Sequence, residues 1–123
     1  MAQETRILHK DCARVSRWAE QHGWKSILGP ALRTEKGGTS AGVAIFAREE
    51  ASLLFPSKDE EPAQVAPGRA VAGLLTVRGY RPIMVYAVYM ISGGGLAEGN
   101  TELLSALGRH RSSHAHLSLL GGD

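Results

Sequence analysis

A mixed α/β fold follows from three features of the chain: an amphipathic helical stretch near its start, β-branched apolar runs through its middle, and a second helical stretch before a last short apolar run. From Asp11 to His22, Cys12, Val15, Trp18 and Ala19 recur at three- and four-residue steps opposite Arg14, Arg17, Glu20 and Gln21, the pattern of a helix with one buried stripe. Asp11 is suited to cap it. Gly23 is placed to end it in the left-handed conformation that a Cβ disfavours.

Trp24 to Leu28 reads as a short strand, broken by Gly29-Pro30, and Arg33 to Ser40 with Gly37-Gly38 as a polar loop. Gly42 to Ala47 is nearly all apolar, with β-branched Val43 and Ile45, as expected of a strand covered on both faces. Glu49 to Pro67 reads as a surface excursion, and its Lys58-Asp59-Glu60-Glu61 run as a solvated face. Ala70 to Val77 and Pro82 to Ile91, separated by Arg78-Gly79-Tyr80-Arg81, form a hairpin pattern. After Gly93-Gly94-Gly95, read as a strand-to-helix turn, Asn100 or Thr101 can cap a helix to about Arg111, with Leu103, Leu104 and Leu107 as its buried stripe. His116 to Leu120 is the last strand. Two helices suffice to cover one face of a sheet, so the apolar runs demand a cover for the other face that this reading does not supply.

The 123 residues, with a net charge of +2, 43% hydrophobic and 21% charged, describe one ordered domain or less. So slight a charge does not by itself indicate a nucleic-acid or membrane partner. Cys12 stands alone, which excludes a disulfide framework and a cysteine-based zinc site and points to a reducing intracellular compartment, nucleus or cytoplasm. A buried thiol is expected there rather than a nucleophile. Met1 to Lys10 carries Glu4, Arg6, His9 and Lys10 and no secretory signal. The most apolar run, Pro82 to Ile91, is about half of the ~20 residues a membrane helix needs.

Several residues invite chemical readings. His110, His114 and His116 are nitrogen donors of the kind zinc accepts, although a polar helix–strand junction explains them as well. Arg33, Arg48, Arg69, Arg78 and Arg81 are candidates for sequence-independent phosphate contacts. Trp18 and Trp24 read as packing residues. The Gly93-Gly94-Gly95 run lacks the Gly-Lys-Ser/Thr of a phosphate-binding loop. Glu4 and Asp123 each follow a strand-like stretch, and carboxylates held at strand ends are the hard oxygen ligands that a hydrated Mg²⁺ takes.

Gln3-Glu4-Thr5 is followed by a helix and the Gly23-Trp24 turn, then by Gly42-Val43-Ala44-Ile45, by Tyr89-Met90-Ile91-Ser92 and by Gly122-Asp123. In order and spacing, across nearly the whole chain, these resemble the Gln-Glu-Thr step, Gly-Val-Ala-Ile strand, Tyr-x-Pro-Asn strand and Gly-Asp-x-Asn motif of the endonuclease/exonuclease/phosphatase superfamily. The long Gly-rich stretch before Gly42 and the divergent linkers are more similar to the endonuclease-like sequences of retroelements and of large lineage-expanded gene families than to its repair enzymes. The resemblance implies that residues 1–123 are the N-terminal half of such a domain, a partial four-layer α/β sandwich that supplies most of one sheet. It implies Glu4 as a ligand of Mg²⁺ or Mn²⁺, Tyr89 as a hydrogen-bond donor to the scissile phosphate, and Asp123 as the carboxylate that orients the attacking water. The implied activity is hydrolysis of phosphoester bonds in nucleic acid, DNA more than RNA; a phosphatase acting on a small or lipid phosphate is the alternative enzyme.

The departures from the family pattern are specific. Ile91 and Ser92 stand where the family carries Pro and Asn, and the Asn two positions after Asp123, an upstream Asn and a later Asp-His pair lie outside these residues. The expectation is therefore a chain without efficient hydrolysis, and the rival function is a catalytically inactive remnant or interaction module.

Overall fold

The computed structural model describes residues 1–3, 5–33, 39–56, 64–90, 98–114 and 117–122. Glu4, Asp123, His116, Gly93-Gly94-Gly95 and the Lys58-Asp59-Glu60-Glu61 run lie outside them. In chain order the elements are β1 (Ala2–Gln3), α1 (His9–Gln21), β2 (Trp24–Gly29), β3 (Leu32–Arg33), β4 (Thr39–Ser40), β5 (Val43–Arg48), β6 (Ser52–Leu54), β7 (Gln64–Ala66), β8 (Ala70–Thr76), β9 (Ile83–Val88), α2 (Glu98–Ser112) and β10 (Leu117–Gly122). The chain is mixed α/β, as the sequence predicts.

Two principal sheets form. One has the order β1-β5-β2, antiparallel throughout, with Gln3 opposite Val43 and Gly29 also opposite Val43 across the shared strand. The other has the order β10-β9-β8-β6, with β7 also on β8; β8 and β9 make the expected antiparallel hairpin, and β10 returns parallel to β9 after α2. A small β3–β4 pair stands apart.

The sheets pack face to face. Ile27, Val43 and Ile45 from the three-stranded sheet meet Leu53, Val71, Val85 and Ala87 from the larger one in a single apolar cluster. This corrects the expectation that the chain supplies most of one sheet and lacks a cover for its second apolar face: the second sheet is that cover. Strand alternation produces the arrangement, because Val85 and Ala87 face the partner sheet while Met84, Tyr86 and Val88 face α2 with Leu103 and Leu107. On the other side, α1 lies against β2.

Local expectations fare unevenly. Gly23 ends α1 at φ +80°, as expected. Asp11 does not cap α1: Leu8 holds that position without a side-chain cap, and Asp11 lies in the first turn, paired with Arg14 at 3.3 Å. Ala19 is the buried residue of α1, whereas Trp18 is 59% exposed, because helix rotation carries it past the β2 seam to stack on His22 at 4.4 Å. Leu104 is likewise turned outward from α2, leaving Asn100, Leu103 and Leu107 as the buried stripe. The stretch read as an excursion contributes β6 and β7, both paired with β8.

Candidate functional site

Strand direction gathers three marked positions at one end of the paired sheets. β1 ends at Gln3, opposite the start of β5; β10 ends at Gly122, opposite Val88; and Tyr89 follows Val88 directly. The Gly42 N–H donates to the Gly68 carbonyl at 2.8 Å and so joins the start of β5 to the turn before β8 at this same end. The backbone there is unusual, with Arg6 at φ 56°, Ala41 at φ 64° and Gly42 at φ 96°. Gln3 and Gly122 are the residues immediately before Glu4 and Asp123, which lie outside the described residues.

Tyr89 itself is half-buried and packs against the inter-sheet cluster. Arg69 holds its backbone on both sides. The Tyr89 N–H donates to the Arg69 carbonyl at 2.7 Å, and the Arg69 Nε donates to the Tyr89 carbonyl at 3.1 Å. The guanidinium then reaches α2, where Nη2 donates to the Asn100 Oδ1 at 3.0 Å. Asn100, 2% exposed, is thus a buried polar residue within the first turns of α2 and not its cap. Sequence reading named both residues but for other roles: Arg69 as one of several phosphate-contact arginines, Asn100 as a helix cap. No signal in the one-dimensional pattern pairs them, since they are 31 positions apart.

The other candidates do not converge here. Tyr86, on the opposite face of β9 from Tyr89, bonds His110 Nδ1 at 2.8 Å, and His114 stacks on His110 at 4.2 Å. His114 follows α2 and His116 lies outside the described residues; among the described residues no three His, Cys, Asp or Glu side chains group as a metal site. A cavity of about 300 Å³ between α2 and β10 is lined by Tyr86, Leu107, Arg111, Ser118 and Leu120. Arg48 lies over the Trp24 ring at 5.3 Å, while Arg78 and Arg81 occupy the exposed β8–β9 turn at the end remote from Tyr89. These arginines line no common surface with Arg69.

Cys12 is half-buried on α1, its Sγ 3.5 Å from the Leu8 carbonyl. Burial, and secondarily the Asp11 carboxylate, push its thiol above the ordinary value, which suits a packing residue better than a nucleophile. No helix among the described residues is long and apolar enough to cross a membrane. Comparison with protein-family models, curated proteins and solved structures yields no match for this chain.

Proposed function

We propose that the chain is the N-terminal part of a metal-dependent phosphodiesterase domain of the endonuclease/exonuclease/phosphatase type, a partial four-layer α/β sandwich acting on nucleic acid, DNA more than RNA. The observation that supports this reading is the common end at which β1 finishes at Gln3, β10 finishes at Gly122 and Tyr89 leaves β9. Strand ends are rigid supports, and phosphoryl transfer depends on groups held in fixed positions. In this reading Glu4 supplies a carboxylate oxygen to the metal, Asp123 orients the attacking water, and the Tyr89 hydroxyl donates a hydrogen bond to a phosphate oxygen. The Glu4 carboxylate is a hard oxygen donor of the kind Mg²⁺ or Mn²⁺ accepts, and such an ion would neutralise charge on the phosphoryl oxygens.

A second reading, a non-catalytic interaction module, draws on β10. Among the described residues this strand is the edge of its sheet; it exposes Leu117, Leu119 and Leu120 at 69%, 54% and 57% and carries no charged residue over Leu117–Gly122, the composition of an edge open to pairing with another strand.

Plasmid nicking in Mg²⁺ separates efficient catalysis from binding alone. The expected result is DNA binding that depends on Mg²⁺ and on Glu4. Efficient nicking that Glu4→Ala abolishes would show that the chain is catalytically sufficient, whereas DNA binding indifferent to both Mg²⁺ and Glu4→Ala would remove the phosphodiesterase reading.

A further inference from the structure

The bonds around Arg69 depart from a regular ladder in an informative way. Ala70 is opposite Val88 in the β8–β9 pairing, so the next pair outward is Arg69 with Tyr89. In an antiparallel hydrogen-bonded pair the two residues exchange both backbone bonds. Here only one is exchanged: the Tyr89 N–H donates to the Arg69 carbonyl, while the Arg69 N–H turns back to the Ala66 carbonyl at 3.0 Å to close the preceding turn. The missing bond to the Tyr89 carbonyl is supplied by the side chain of the same residue, through Nε at 3.1 Å. Nη2 of that guanidinium ends on the buried Asn100. One planar group therefore fixes the residue that leaves β9 and ties it to α2. A lysine ammonium has the charge but not the two-direction fork this requires.

We propose that Arg69 is a positioning residue for Tyr89, setting the direction in which its hydroxyl meets a nucleic-acid phosphate; this rests on the function proposed above. Arg69 acts through the backbone of Tyr89 and through Asn100, and its own charge makes no contact with the phosphate.

The test is a double-mutant cycle on the full chain, read as the affinity for a fluorescein-labelled DNA duplex in Mg²⁺, with the thermal midpoint of each variant recorded alongside. Tyr89→Phe and Arg69→Lys are each expected to weaken binding about fivefold, the scale of one lost hydrogen bond, and the double variant to be no weaker than Tyr89→Phe alone. Arg69→Gln replaces Arg69→Lys should the latter fail to fold. Wild-type affinity in Arg69→Lys, or losses that add in the double variant, would overturn the positioning role, the second because it would mean a separate contact with DNA. An unchanged affinity in Tyr89→Phe would instead remove the reading on which the inference rests.

Discussion

The Gly42 N–H and the Gly68 carbonyl meet at 2.8 Å, a single backbone bond that joins the two sheets at the end where β1 and β10 finish. It depends on Gly42 holding φ +96°, a conformation that side chains resist. A Cβ at Gly42 would also lie 2.6 Å from the Thr5 Oγ1.

Gly42→Ala is therefore expected to destabilise the chain by about 2 kcal/mol or more, the left-handed strain and the collision acting together. Urea unfolding measures this, and a variant as stable as wild type would mean that the junction relaxes freely.

Tyr86 and Tyr89 are three positions apart in sequence and face opposite ways, Tyr86 toward α2 and Tyr89 toward the inter-sheet cluster. Tyr86→Phe removes the bond to His110 and should cost about 1 kcal/mol of stability, with DNA affinity unchanged. Paired denaturation and binding measurements check it; a loss of affinity at wild-type stability would place Tyr86 in the DNA site instead.

Cys12 should react slowly with iodoacetamide at neutral pH, since burial and the Asp11 charge both disfavour its thiolate. A thiol pKa raised in the folded state contributes stability that is fully present below the unfolded thiol's pKa and is lost as pH rises through the folded value. Asp11→Asn removes the smaller of the two causes and should speed alkylation modestly. A rate for the wild-type chain equal to that of a free thiol would contradict this environment.

The sequence made the periodic elements legible and left the pairing between them hidden. The Cys12, Val15 and Ala19 spacing and Gly23 mark α1, and Arg78-Gly79-Tyr80-Arg81 marks the hairpin, because these are local signals. The facing of two sheets is not local: β5 and β9 both read as fully buried, and only the fold shows that each is buried partly by the other sheet. Trp18 misled because a helical period fixes a stripe but not its width, and here the seam takes Ala19 and leaves Trp18 outside. At the candidate site, Tyr89 is marked by the strand motif, whereas Arg69 and Asn100 gain their meaning only from a bond across 31 positions.

The most direct test of the central claim is Mn²⁺ titration of the chain carrying ¹³C-labelled tyrosine, followed by NMR. A metal ion held by Glu4 at the end of the sheets where Tyr89 lies predicts selective paramagnetic broadening of the Tyr89 signal, with Tyr80 in the remote turn much less affected, and loss of that selectivity in Glu4→Ala. Uniform broadening of all tyrosines, or broadening of Tyr89 that persists in Glu4→Ala, would contradict a metal site built on this residue.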